Sequence, residues 1–88
     1  MSNKAILASL AMDLKRVSLG LQRKSFVMAD RFSQEALQRK SEIDASTVKP
    51  YMRKILENLD SVLSQRDVDR KAEATLMYST LIGNYAAK

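Results

Sequence analysis

The amino-acid sequence predicts an all-α protein, a small helical bundle, on the basis of three observations. Hydrophobic residues make up 45% of the 88 positions, with two glycines and one proline, a composition typical of a folded helical chain. Apolar positions recur every three or four residues along most of the chain, which is the spacing of a helix face. No stretch alternates β-branched and polar residues as a strand would. A chain of this length is expected to form one domain, residues 1–88, with a thin core.

The first apolar stripe begins near the N-terminus and continues on nearly the same face as far as Ile43. Two architectures follow. In the favoured one, the helix stops at Gly20, the C′ residue of a Schellman motif, and Ser25 caps the next helix. In the alternative, one long N-terminal helix spans 3–43 and packs with a helical hairpin in a dimer. The first half of the stripe steps by four, four, three and four residues: Ile6, Leu10, Leu14, Val17 and Leu21.

A second apolar seam lies on another side of the same segment. Met12, Leu19 and Phe26 are seven residues apart, so they share one helix face. A seam of this kind is typical of a helix that is covered on two sides. We therefore expect these three side chains in the core.

The third helix is preceded by the clearest boundary in the chain. Asp44 is a good N-cap residue, and Pro50 is tolerated only in the first turn of a helix. Apolar residues from Met52 to Leu63 then line one face. Asp67 is expected to cap the last helix. The predicted helices are about 3–19, 25–42, 48–64 and 67–86, and their short connections favour an up-down four-helix bundle.

The last helix carries no charged residue from Ala74 to Ala87. A helix that is apolar all round is expected to be buried all round, and an 88-residue chain has few other elements to cover it. We therefore predict a homodimer or another protein partner on this helix; the alternative is that these residues complete the chain's own core. The predicted partner or dimer interface comprises Met77, Tyr78, Leu81, Tyr85, Ser79 and Gly83.

The residue inventory argues against catalysis. The chain has no Cys and no His, which removes thiolate chemistry, the commonest general base and the commonest metal ligand. The carboxylate pairs Glu42–Asp44 and Asp67–Asp69 lie at predicted helix starts, where capping and the helix dipole explain them. The two glycines are too far apart to form a phosphate-binding loop. We expect no catalytic residue, no cofactor and no metal site, and no enzymatic activity.

Basic residues are concentrated in the first half of the chain. The formal charge is +5, and up to Ile43 eight Lys and Arg stand against four Asp and Glu. Nucleic acid is therefore the alternative partner, bound through its phosphates. No run of residues approaches the length that spans a bilayer, so we expect no membrane partner and a cytoplasmic location. The candidate polyanion contacts are Lys15, Arg16, Arg23, Lys24 and Arg31.

These observations together predict a non-enzymatic protein–protein interaction module, an adaptor or an accessory or regulatory subunit that acts through the complementarity of a helix face. The alternative is a basic nucleic-acid-binding helical protein that contacts phosphates through its N-terminal half.

Overall fold

The computed structural model describes residues 2–88, and within them the chain is helical, without a strand. A short 3₁₀ turn, Ala45–Thr47, connects the second and third helices. The third and fourth helices follow one another across Asn58 and together occupy the place of the predicted third helix. The bundle measures 36 × 21 × 20 Å. The α-helices are α1 Asn3–Gln22, α2 Phe26–Ser41, α3 Pro50–Glu57, α4 Leu59–Leu63 and α5 Val68–Ala87. The prediction of an all-α helical bundle is confirmed.

Hydrogen bonds join the ends of three helices at one end of the molecule. At the end of the molecule where the chain begins, Asn3 donates to the carbonyl of Asp44 at 3.0 Å and also bonds the hydroxyl of Thr47. At this basal end the N–H of Lys49 donates to the hydroxyl of Tyr85 at 3.0 Å. The start of α1, the start of α3 and the end of α5 therefore meet there.

The chain breaks between α1 and α2, so a single helix over 3–43 is wrong. The stop lies later than predicted, because α1 continues through Gly20 to Gln22. A Schellman motif does end the helix, but Lys24 and not glycine occupies its left-handed position, with φ 58°. The N–H of Ser25 donates to the carbonyl of Gly20 at 2.8 Å, which closes the motif. Ser25 is the N-cap of α2, but its hydroxyl makes no capping bond.

Gly20 has a packing role. It is buried inside α1, and a Cβ at this position would lie 3.0 Å from the backbone nitrogen of Ala29 and 3.2 Å from the carbonyl oxygen of Ser25. These distances are shorter than ordinary carbon contacts. The glycine therefore allows the first turn of α2 to lie directly against α1.

α1 is the central helix of the core. Ten of its twenty residues are buried, against five of twenty in α5. Two buried hydrogen bonds join these helices: Ser18 donates to the carbonyl of Ala72 at 2.8 Å, and Ser79 donates to the carbonyl of Ala11 at 2.7 Å. Because the residue numbers rise along one helix as they fall along the other, α1 and α5 are antiparallel. Every member of the first half of the first apolar stripe is buried: Ile6, Leu10, Leu14, Val17 and Leu21.

Two of the predicted signals of the second half are confirmed, whereas Asp44 caps the short 3₁₀ turn and not the third helix, whose N-cap is Lys49. Pro50 lies in the first turn of α3, and Asp67 caps α5 by accepting the N–H of Arg70 at 3.1 Å. In the first half of the chain, the prediction that Met12 and Phe26 lie in the core is wrong, because each of these side chains is 49% exposed. The apolar face of the third predicted helix is buried at Met52, Leu56, Leu59 and Leu63.

Candidate interaction surfaces

The structure distributes the six predicted interface residues over three sides of α5. Ser79 and Gly83 face α1, Tyr78 and Tyr85 are half-buried beside the core, and Met77 and Leu81 point to solvent. The six residues therefore do not form one continuous surface.

Ser79 and Gly83 lie against α1 within the same chain. Ser79 is buried, and its hydroxyl is bonded to the carbonyl of Ala11. A Cβ at Gly83 would meet the Cβ of Ala11 at 3.6 Å, which is an ordinary van der Waals contact. The row of small residues thus lets α1 and α5 approach closely, and it also accepts an alanine at position 83.

Met77 and Leu81 are 54% and 41% exposed. Each lies two residues from buried Ser79, so each is turned about 200° around the helix from it, away from the core. Within the single chain this uncharged helix is therefore not buried all round. α1 covers the side that carries Ser79, the core partly covers Tyr78 and Tyr85, and the side of Met77 and Leu81 stays open.

Tyr85 contributes to the basal end of the bundle. Its ring stands edge to face against Tyr51, with the ring centroids 5.7 Å apart, and its hydroxyl accepts the N–H of Lys49. Tyr85 therefore joins the end of α5 to the start of α3 inside one chain.

An apolar surface runs along the α1–α5 groove, a channel between the outer edges of these helices. Two adjoining depressions of about 400 and 460 Å³ form it, and they share Ala8 and Gly83. Met12 and Leu76 rise along its sides, 49% and 44% exposed. Its apolar and small lining residues include Ala5, Ala8, Met12, Leu76, Thr80 and Gly83.

Sequence reasoning identified only part of this groove. Gly83 was predicted, whereas Met12 was assigned to the core and Ala5, Ala8 and Thr80 were not singled out. A signal was present, since Met12 repeats at seven-residue spacing and Leu76 lies within the uncharged segment. Periodicity identifies an apolar face, but it does not say whether another helix of the same chain covers that face.

Charges lie at the two ends of the groove. Lys4 borders it at the basal end. At the opposite end a further shallow depression, which shares Leu76 with the groove, is bordered by Asp69 and Glu73. Lys4 therefore makes the basal end positive, and two carboxylates lie beyond the opposite end, with Lys15 along the groove between the two ends.

The five predicted polyanion contacts lie in different surroundings. Arg16 and Arg31 both place their guanidinium groups over the ring of Phe32, at 5.3 and 5.6 Å from its centroid. Arg31 also lies 3.8 Å from a carboxylate oxygen of Glu35. The other three are exposed, Lys15 along the α1–α5 groove and Arg23 and Lys24 at the turn between α1 and α2.

Asp13 is a buried carboxylate between α1 and α2. Only 2% of its surface is exposed, and Arg39 donates to it at 3.0 Å while Arg16 lies 3.5 Å away. Burial raises the pKa of Asp13, the hydrogen bond and charge of Arg39 act against that rise, and the charge of Glu35 adds to it. Burial thus disfavours the ionised form of Asp13 more than Arg39 favours it.

Among residues 2–88, no three His, Cys, Asp or Glu side chains are grouped so that they could hold a metal ion. None of the helices in this part of the chain is long and apolar enough to cross a membrane. No family model, no curated protein and no solved structure matches the chain.

Proposed function

We propose that the chain is a non-enzymatic interaction module that associates with a second copy of itself through the α1–α5 groove. The observation that carries the proposal is the groove itself, where two large apolar side chains stand exposed over a floor of alanine and glycine. Small residues let a second helix approach closely, and Met and Leu supply the apolar area that association buries.

The charges at the ends of the groove support a second copy as the occupant. Homodimers are most often related by a two-fold axis, which sets each surface against itself. An axis through the middle of the groove brings the Lys4 end of one copy beside the Asp69 and Glu73 end of the other. Opposite charges then face each other at both ends, which sets the register of the pair.

The mechanism is surface complementarity without chemistry. Met12 lies about midway between Lys4 and the Asp69 and Glu73 end, so an axis at this point places it close to the same residue of the second copy. Leu76 enters the space over Ala8 and Gly83 of the opposite groove. Such a dimer would serve as an adaptor or accessory subunit, because pairing through one face leaves α2, α3 and α4 free to contact another protein.

The experiment compares two leucines of the same helix. Leu76 and Leu81 are 44% and 41% exposed, but only Leu76 lines the groove. We expect the native chain to have twice the monomer mass in light scattering after gel filtration. Leu76→Asp should reduce the mass to that of the monomer, while Leu81→Asp should leave a dimer.

The two variants distinguish the groove from the outer side of α5. If Leu81→Asp alone dissociates the chain, the dimer forms through the predicted Met77 and Leu81 side and the groove is not its interface. A native chain that is monomeric at all accessible concentrations would exclude self-association. Far-UV circular dichroism of both variants controls for unfolding.

Polyanion binding is the second candidate, supported by Arg23 and Lys24, which lie exposed without a carboxylate within 4.0 Å. It differs from apolar association in its salt dependence, because phosphate contacts weaken steeply as salt rises. An oligonucleotide that binds at low salt, and is lost both at high salt and in the Arg23→Gln, Lys24→Gln double variant, would favour this function.

A further inference from the structure

A cavity at the basal end of the bundle adjoins the α1–α5 groove, with which it shares Lys4 and Ala86. It has a volume of about 360 Å³ and opens between the start of α1, the start of α3 and the end of α5. Sites for small organic molecules commonly measure about 300–1,000 Å³. Its apolar lining comprises the half-exposed ring of Tyr51 and, beneath it, the buried side chains of Leu7, Val48 and Ala86.

Three lysines surround this apolar surface: Lys4, Lys49 and Lys88. No carboxylate lies within 4.0 Å of the side-chain nitrogen of any of them in residues 2–88. The nearby carboxylate of Asp44 accepts instead from the backbone N–H and the hydroxyl of Ser46, at 3.1 and 2.6 Å. The lysine charges at the cavity are therefore uncompensated.

Each polar side chain of the cavity that lacks a partner among the described residues can donate a hydrogen bond, and the half-exposed Tyr51 adds a second hydroxyl to that of Tyr85. The Tyr85 hydroxyl accepts the N–H of Lys49, and its own proton has no acceptor among the described residues. Asn3 and Thr47 also line the cavity, but both are already bonded in the contact with Asp44. A hydroxyl proton and three ammonium groups together suit a ligand that only accepts.

The first turn of α3 contributes to the same preference. Lys49 is its N-cap residue, no side chain caps it, and it contains no acidic residue. The N–H groups at a helix start carry partial positive charge and favour anions. This attraction adds to that of the lysine charges, and it does not by itself define a site.

We propose that the cavity binds a small organic anion, a carboxylate or phosphate group attached to a short apolar body. The anionic oxygens accept from the Lys49 ammonium and the Tyr85 hydroxyl, with Lys4 and Lys88 beside them. The apolar body lies on Leu7, Val48 and Ala86. The two main donors, Lys49 and Tyr85, are not part of the α1–α5 groove, whereas Lys4 and Ala86 line both sites. Of the cavity residues, the variants that test the proposal therefore change Lys49 and Tyr85 only.

Phenyl phosphate and benzoate are suitable probes, followed by backbone-amide NMR shifts of the full chain. We expect saturable shifts at Val48 to Tyr51 and at Tyr85 to Lys88. Inorganic phosphate, which has the charge without the body, and benzyl alcohol, which has the body without the charge, should each bind at least about tenfold more weakly.

Matched variants test the named donors. Lys49→Gln should weaken phenyl phosphate about tenfold, while Lys54→Gln, an exposed lysine of the same helix outside the cavity, should not change its affinity. Tyr85→Phe should weaken binding, and Tyr78→Phe should not. Shifts that do not saturate, equal binding of inorganic phosphate, or equal losses in Lys49→Gln and Lys54→Gln would overturn the proposal.

Discussion

The two glycines occupy helix interiors but have opposite surroundings. At Gly20 a new Cβ would lie 3.0 Å from the backbone nitrogen of Ala29, whereas at Gly83 it would meet only the Cβ of Ala11 at 3.6 Å. Both substitutions remove the same helix-propensity penalty of about 1 kcal/mol. Only Gly20→Ala adds a clash with backbone, which cannot rotate away as a side chain can.

We therefore expect Gly83→Ala to raise the free energy of unfolding by about 0.5–1 kcal/mol. Gly20→Ala should lower it by roughly 1–2 kcal/mol, since overpacking exceeds the gain in propensity. Urea unfolding measures both, at a protein concentration where light scattering reports a monomer. If both alanine variants were more stable than the native chain, α2 would have to move away from α1 without a loss of stability.

Sequence patterns are least informative about the role of a single residue. A glycine near the end of a helical stripe has the same signature whether it stops the helix or makes room for a neighbour. The stop lies instead at Lys24, which adopts φ 58° although its side chain disfavours that conformation. The role of Gly20 follows from the close approach of Ala29 in the next helix. That contact is tertiary, so the local sequence pattern does not reveal it.

Pairs of elements are joined by serine hydroxyls as well as by apolar packing. Ser18 and Ser79 each donate from one helix to a carbonyl of the other, and both are buried. Ser33 makes a bond of similar length, 2.8 Å, but to Ala29 in its own helix. The three serines thus separate the effect of an interhelical bond from that of an intrahelical one.

Ser18→Ala and Ser79→Ala should each lower the free energy of unfolding by about 1 kcal/mol, because a buried interhelical bond is lost. Ser33→Ala should change it by less than about 0.5 kcal/mol, since alanine has the better helix propensity and the Ala29 carbonyl keeps its position in the helix. Denaturant unfolding of the three variants provides the comparison. Equal effects at all three positions would show that the interhelical bonds do not contribute specifically.

The helices themselves were predictable because each depends on local signals. The stripe of α1, the proline at the start of α3 and the Asp67 cap of α5 all act within a few residues of the chain. The partners of each face were not predictable in the same way. α5 has two apolar sides with similar composition, and only the packed structure shows that Ser79 faces α1 while Leu81 faces solvent.

On the scale of the whole molecule, Asp13 links stability to pH in an unusual direction. Its pKa is raised by burial in the folded chain, with Arg39, Arg16 and Glu35 as its charged neighbours. The folded state therefore holds this proton to a higher pH than the unfolded state does. Between the usual pKa of 3.8 and the raised value, the contribution of Asp13 to stability falls as pH rises.

Asp44 changes stability with pH in the opposite direction. Its hydrogen bonds with Ser46 lower its pKa, so its contribution is present above the usual value of 3.8 and is lost as pH falls through the lowered value. The pH dependence of the free energy of unfolding therefore contains contributions from both groups. Comparing the native chain with an Asp13 variant isolates the contribution of Asp13.

Asp13→Asn should match the native chain in stability below pH 3.8, where both side chains are neutral. As pH rises toward 7, the variant should become at least as stable as the native chain, because asparagine avoids the burial of a charge.

Arg39→Met should do the reverse, lowering the free energy of unfolding by roughly 2 kcal/mol at pH 7 and by less at pH 3, since it leaves the carboxylate without its main partner. Urea unfolding at pH 3, 5 and 7 measures all three chains. A native chain that is clearly more stable than Asp13→Asn at pH 7, but not at pH 3, would show that Arg39 outweighs burial and that the pKa of Asp13 is lowered in the folded state.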